Sequence, residues 1–201
     1  MSVANVAIID GGGANIASLQ YALERLGAES SLTSDTSTIA AASHVILPGV
    51  GAAAAAMNKL RESGLDAFIP TLEQPVLGIC LGMQLLCNGS DEDNVDCIGI
   101  FPGRAEKLDS SPETPVPNMG WCRVKRRNDS PLLAGIEDGS WFYFVHSYAL
   151  PINEFTMASA SHTEAFSAVV AKDNFFAAQF HPERSSTAGA QLLRNFLTMT
   201  A

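Results

Sequence analysis

The feature that most constrains this chain is a five-residue turn, Gly78-Ile79-Cys80-Leu81-Gly82, set between the apolar run Pro75-Val76-Leu77 and the amphipathic stretch Met83 to Cys87. A strand running straight into a helix must turn sharply. Glycines on both sides let the backbone take strained angles while the residue at the apex holds its side chain clear. Here that residue is a cysteine, and its thiol is expected at a helix N-terminus, where free N–H groups and the positive dipole end suit a nucleophilic sulfur. The pentapeptide is equally compatible with a buried cysteine whose neighbouring glycines serve close helix packing. Both readings require a strand leading into a helix laid tightly on a sheet.

Near the C-terminus, Asn174 to Phe180 reads as a strand that delivers His181-Pro182-Glu183 at its end. A cysteine nucleophile needs a base within hydrogen-bond reach, and the imidazole needs a third group to fix its tautomer. Cys80, His181 and Glu183 supply those three parts. Singly, His181 is an ordinary strand-end histidine and Glu183 a solvated loop carboxylate. Together, beside an elbow, they point to catalysis.

The rest of the chain alternates in the way an α/β fold requires. Val3 to Ile9 is a short apolar run, and Ile16, Leu19, Leu23 and Leu26 mark a helix over 14–26 that Gly27 stops. A strand over 28–33 leads through a Ser/Thr-rich loop to His44-Val45-Ile46-Leu47, a buried strand ending at Pro48-Gly49. Ala52 to Leu60 is a helix rich in alanine, the strongest helix former. Such alternation builds a flavodoxin-like three-layer sandwich: a mostly parallel central sheet with helices on both faces and ligands at the carboxyl ends of the strands. The elbow, Pro48-Gly49-Val50-Gly51 and the glycine-rich loop after Asp10 all fall at such ends. After Gly99 the runs shorten to Trp121–Lys125, Trp141–Tyr148 and Ala165–Ala171, predicting a mixed or antiparallel extension before a last helix over 187–197. No repeat or linker divides the chain, so one domain over 1–201 is expected. Residues 109–117 read as a surface loop and Asp91-Glu92-Asp93 as a solvated acidic turn.

Composition excludes more than it selects. A length of 201 residues with 47% apolar content suits one full core. The net charge of -9 argues against a nucleic-acid partner, which needs a basic face. Four irregularly spaced cysteines without a Cys-x-x-Cys favour reduced thiols in a cytosolic protein, and no disulfide is expected. Neither a secretory signal nor a membrane span is expected, because the first apolar stretch ends at Asp10 and nothing basic precedes it. The four histidines and four cysteines show no ligand spacing, so no metal is expected.

On these residues the chain resembles the class I, triad-type glutamine amidotransferases. The family pattern G-x-C-x-G-x-Q is met by Gly78-Ile79-Cys80-Leu81-Gly82-Met83-Gln84. Within the family it looks most like the glutaminase subunits of imidazole glycerol phosphate synthase in histidine biosynthesis. That likeness rests on Ile9-Asp10 with the glycines and Asn15 that follow, Leu47 to Gly51, Val116 to Trp121, and Phe142 to Tyr148. It covers nearly the whole chain.

The residues already name Leu81 N–H, next after the nucleophile, as an oxyanion donor; loss of one such donor elsewhere costs roughly 3 kcal/mol. Gln84, one helical turn beyond Cys80, is placed to bind the substrate's amide or carboxylate. The resemblance adds Val50 and Gly51 to the oxyanion hole and Gly49, Ser147 and Tyr148 to the glutamine site. It implies hydrolysis of glutamine to glutamate and ammonia through a Cys80 thioester, without a cofactor. The partner it implies is a (β/α)8-barrel cyclase subunit, reached through an ammonia tunnel and docking on Asn15, Asn118, Met119, Trp121 and Arg184.

The chain departs from the subfamily at Gly11, where an aromatic is usual, at Asn118 for histidine, Cys122 for asparagine and Arg184 for lysine. A glutaminase feeding another synthesis, a hydrolase using Cys80 on another amide, or a non-catalytic protein on the same scaffold stay open at this point.

Overall fold

The computed structural model describes residues 3–11 and 16–200. Its strands are β1 (Asn5–Ile9), β2 (Glu29–Thr33), β3 (His44–Leu47), β4 (Val76–Ile79), β5 (Cys87–Ser90), β6 (Val95–Asp96), β7 (Phe101–Lys107), β8 (Asn118–Arg126), β9 (Ser140–His146), β10 (Tyr148–Ala149), β11 (Thr156–Ser161), β12 (Ala165–Lys172) and β13 (Phe175–Ala178). The helices are α1 (Ile16–Arg25), α2 (Thr36–Ala41), α3 (Ala53–Glu62), α4 (Leu65–Phe68), α5 (Leu81–Leu85) and α6 (Ser186–Leu197).

The main sheet has nine strands in the order β2-β1-β3-β4-β13-β12-β11-β8-β9. From β2 to β13 every neighbour is parallel, and from β13 to β9 every neighbour is antiparallel. The α/β fold and its antiparallel extension are therefore as expected. A second sheet, β10-β7-β5-β6, lies beside it.

The parallel strands are buried on both sides. Val6 to Ile9, Val45 to Leu47 and Val76-Leu77 have no solvent exposure at all, so they read as unbroken apolar runs rather than alternating ones. One core joins that sheet to α1 and α6 through Leu19, Leu23, Leu192, Leu193 and Phe196. The other joins it to α2, α3 and α5 through Ile39, Met57, Leu60, Met83 and Leu85. The sheet thus lies between two helical layers. Burying each such side chain stabilises the fold by about 1.5–3 kcal/mol.

Three elements differ from expectation. The Ser/Thr-rich loop contains α2, because Asp35 caps it: Asp35 Oδ2 accepts from Thr38 N at 2.8 Å. The stretch Met83 to Cys87 is not an amphipathic helix; α5 ends at Leu85 with every residue buried, and Cys87 opens β5. Asn88 and Gly89 follow, poor helix formers whose backbone is taken up by the second sheet. Third, the apolar run before the elbow continues as strand through Ile79.

Candidate active site

Cys80 sits between β4 and α5 with φ 55° and ψ -110°. A side chain rarely occupies that region of positive φ, and the surroundings hold it there. Cys80 N–H donates to Ala178 O of β13 at 2.8 Å, and Cys80 O accepts from Met83 N at 3.0 Å. The flanking glycines are demanded by contact. A Cβ on Gly82 would lie 1.8 Å from Leu47 O, and one on Gly78 would lie 2.9 Å from Gly82 O. The elbow is therefore pressed against the end of β3, and only glycine fits at either side.

β13 runs parallel to β4 and brings His181 to the same end of the sheet. His181 Nδ1 lies 2.9 Å from Glu183 Oε1, and both side chains are largely withdrawn from solvent. Burial pulls the imidazole's pKa down, but hydrogen bonding to Cys80 and to Glu183, with the attraction of their charges, raises it to about 10. The other carboxylate oxygen, Glu183 Oε2, is buried without a hydrogen-bond partner. The turn is held by Ser185, whose Oγ donates to His181 O at 2.6 Å and accepts from Tyr143 N at 3.0 Å. Pro182 packs against Gly189 of α6, where a Cβ would come 2.0 Å from Pro182 O.

A cavity of about 240 Å³ opens above the thiol, lined by Val50, Gly51, Cys80, Leu81, Gln84, Glu92, Pro117, Val145, His146, Ser147, Tyr148 and His181. Most expected site residues meet here; Gly49 and Glu183 line a smaller neighbouring cavity with Val50 and His181. Gly49 approaches α5 so closely that a Cβ would lie 2.9 Å from Leu81 Cβ. Gly51 has φ +89°, the backbone glycine tolerates.

The polar lining is ordered by one carbonyl. Tyr148 O accepts from Gln84 Nε2 at 3.0 Å and pairs with His146 Nδ1 at 2.9 Å. His146 Nε2 faces Asn118 Nδ2 at 3.0 Å. Burial, with a smaller push from His162 and His181, lowers the His146 pKa to about 4 against the bond to Tyr148, so the ring is neutral and donates from Nδ1. Gln84 Nε2 also donates to Gln179 Oε1 at 3.2 Å, and Gln179 Nε2 donates to Cys80 Sγ at 3.8 Å. The thiol itself donates to Val145 O at 3.6 Å.

Two site residues escape a reading of the sequence. Glu92, which reads as part of a solvated turn, lines the cavity, and its Oε2 accepts from Ala53 N at 2.8 Å, capping α3. Arg104 pins that turn, donating to Asp91 Oδ1, Asp96 Oδ1, Ser90 O and Asn94 Oδ1 at 2.9–3.2 Å. Gln179 reads only as strand. No short-range pattern marks the contacts of Glu92 and Gln179, which join segments far apart in the chain.

Of the expected docking residues, Met119, Trp121 and Arg184 are exposed. Asn118 is not: it is buried against His146, and Cys122 Sγ donates to its Oδ1 at 3.5 Å. In strand β8 its side chain alternates to the face opposite Met119. Asn15 lies outside the described residues. All four cysteines are free thiols. Among the described residues no helix is long and apolar enough to cross a membrane, and no cluster of three metal-binding side chains occurs.

Residues 7–200 match the model of the family described as glutamine amidotransferase class I. The imidazole glycerol phosphate synthase subunit HisH of Photorhabdus laumondii is 47% identical over 200 residues, spanning 96% of this chain and 99% of that one. Its counterparts from Xylella fastidiosa and Bacteroides fragilis are 48% and 49% identical, each spanning at least 96% of this chain and 98% of their own. Among solved structures, a glutamine amidotransferase of Thermotoga maritima, 16% identical, shares the fold with a TM-score of 0.64 over 98% of this chain and 97% of that one.

Proposed function

The chain belongs to the class I glutamine amidotransferases and, within them, to the family of imidazole glycerol phosphate synthase HisH subunits; from that premise we propose that it is the glutaminase subunit of such a synthase. The observation that carries the chemistry is Cys80 at a strained elbow, in one cavity with an imidazole whose Nδ1 is held 2.9 Å from a buried carboxylate.

The raised pKa of His181 means that the ring carries a proton at neutral pH. It therefore starts as the acid that the leaving nitrogen requires. Cys80 Sγ, having passed its proton to His181, forms a bond to the side-chain carbonyl carbon of glutamine while the carbonyl π pair moves to the oxygen. As the tetrahedral adduct collapses, the C–N bond breaks and His181 delivers its proton to the nitrogen, releasing ammonia and a thioester. The neutral ring then takes a proton from water, the resulting hydroxide attacks the thioester, and glutamate leaves as the sulfur regains its electron pair. Glu183 holds the ring's orientation and opposes its positive charge throughout. Leu81 N–H and the Val50-Gly51 backbone are assigned to the oxyanion, Gly49 to shaping that loop.

Gln84 has both amide hydrogens committed, to Tyr148 O and Gln179 Oε1. What it has left is an acceptor, which suits an N–H of the substrate rather than its carboxylate. Glu92 offers a second acceptor at the rim, for the α-ammonium group. The Ser147-Tyr148 backbone then falls to the substrate's carboxylate end.

The partner assigned to this chain is a (β/α)8-barrel cyclase that consumes the ammonia in making imidazole glycerol phosphate and aminoimidazole carboxamide ribotide, in the cytoplasm. One experiment tests the reading. Glutamine-dependent synthesis with the cyclase should vanish in Cys80→Ala while ammonia-dependent synthesis persists, and a glutamine-derived electrophile should label Cys80 before the others. Burial pushes the Cys87 thiol far up and Cys97 up to about 11, which makes both poor competitors. Labelling of Cys87, Cys97 or Cys122 with Cys80 spared would remove the assignment.

A further inference from the structure

Gln179 has no solvent exposure and stands in an apolar run, with Phe175, Phe176, Ala177, Ala178 and Phe180 buried around it. A buried amide costs stability unless each polar end is satisfied, and burial alone would favour an aliphatic residue here. Its two ends meet functional groups. Oε1 accepts from Gln84 Nε2 at 3.2 Å, and Nε2 donates to Cys80 Sγ at 3.8 Å.

The direction of this chain of hydrogen bonds is fixed at its far end. Tyr148 O is a backbone carbonyl and can only accept, so the Gln84 group beside it is the NH2. That NH2 meets Gln179 through oxygen. Gln179 must therefore turn an N–H towards the sulfur. In the thiol form the S–H donates to Val145 O, leaving the sulfur lone pairs to accept from Gln179.

We propose that Gln179 is a catalytic residue: its side-chain N–H donates to Cys80 Sγ and stabilises the sulfur whenever it carries negative charge. That happens twice in the cycle, before attack on the amide and when the thioester gives the sulfur back its electron pair. Through its other end Gln179 also holds Gln84 in the orientation that faces the substrate. The proposal rests on Cys80 being the nucleophile of the glutaminase reaction.

The full chain, assayed with its cyclase partner, separates the two roles. Iodoacetamide is small and neutral and makes no use of Gln84, so its rate at Cys80, read by peptide mass, reports on the sulfur alone. In Gln179→Met, matched in length and without donors, this rate and the glutamine kcat should each fall about tenfold, the loss expected of one hydrogen bond to a charged group. In Gln84→Leu the KM for glutamine should rise, and the alkylation rate should fall less than in Gln179→Met, because the donor to the sulfur is still present although Gln84 no longer fixes its orientation. A Gln179→Met protein alkylated at the wild-type rate, with only KM raised, overturns the proposal. If that variant does not fold, the side-chain amide signals of Gln179 in 15N-labelled wild-type protein decide: they should move on alkylation of Cys80, and fixed signals would overturn it. Failure of the wild type to hydrolyse glutamine would instead refute the glutaminase reading, while the alkylation contrast would still report on the contact.

Discussion

Glu92 Oε2 accepts a hydrogen bond from the backbone N–H of Ala53 at 2.8 Å, although the two residues are 39 apart in sequence. Ala53 is the first residue of α3, and Ala52 before it offers no side-chain cap. The helix that continues directly from Gly51 is thus capped by a carboxylate from the turn across the cavity, and that turn is in its own right held by Arg104.

Glu92→Ala should therefore do two things. Loss of the cap should lower stability by about 1 kcal/mol, seen as a lower urea midpoint. Loss of an acceptor at the rim should raise the KM for glutamine more than it lowers kcat. A KM equal to wild type would take Glu92 out of the binding site and leave it a cap.

The contrast between Glu92 and Cys80 shows what a sequence can carry. The elbow is legible because its demands are local: glycines two residues to either side of one apex, an apolar strand before it. The parallel strands are legible because burial on both faces leaves continuous runs such as Val45-Ile46-Leu47. Glu92 and Gln179 act on groups brought near only by the fold, 39 and 99 residues away, so an acidic turn such as Asp91-Glu92-Asp93 has the same composition whether it faces solvent or a cavity. The second sheet is hidden for the same reason. Three of its strands, β5, β6 and β10, are short, and its pairing of β5 with β7 is irregular.

Gly82→Ala tests the packing of the elbow. Its Cβ would stand 1.8 Å from Leu47 O and 2.8 Å from Leu47 C, both backbone atoms that cannot swing aside. The cost should be about 3 kcal/mol or more, beyond ordinary overpacking, with poor soluble yield and loss of glutaminase turnover. A variant of wild-type melting temperature would show that β3 and α5 are less tightly apposed than described.

Stability should peak near the ordinary histidine pKa and fall on either side for different reasons. His146 is held neutral by burial, with its pKa lowered to about 4. As pH falls from 6.5 to that value, the unfolded chain binds a proton that the folded one refuses, and stability is lost. His44, also lowered by burial, adds to the same limb. His181 has the opposite sign. Its contribution is complete below 6.5 and drains away as pH rises towards about 10. Urea midpoints across pH should show both limbs; His146→Gln should flatten the acid one and His181→Gln the alkaline one.

The partner's docking face can be argued from the β8–β9 hairpin. Its register sets Met119 beside Val145, Trp121 beside Tyr143 and Arg123 beside Trp141, so these side chains share one face. Met119 is 64% exposed, Trp121 49% and Trp141 50%, while Val145 reaches the cavity wall. Trp121 packs edge-on against Tyr143, and the Arg184 guanidinium lies 4.6 Å from that same ring. A contiguous aromatic surface at the rim of an ammonia-releasing site suits a partner that must keep its substrate from bulk water. Trp121→Ala should weaken the complex by about 2 kcal/mol or more, as a central aromatic anchor does. Arg184→Ala should weaken it less and more strongly at low salt, as a rim charge does. Arg25→Ala, at the far end of α1, should change nothing. Titration calorimetry with the cyclase at two salt concentrations reads all three, and equal, negligible effects would move the interface elsewhere.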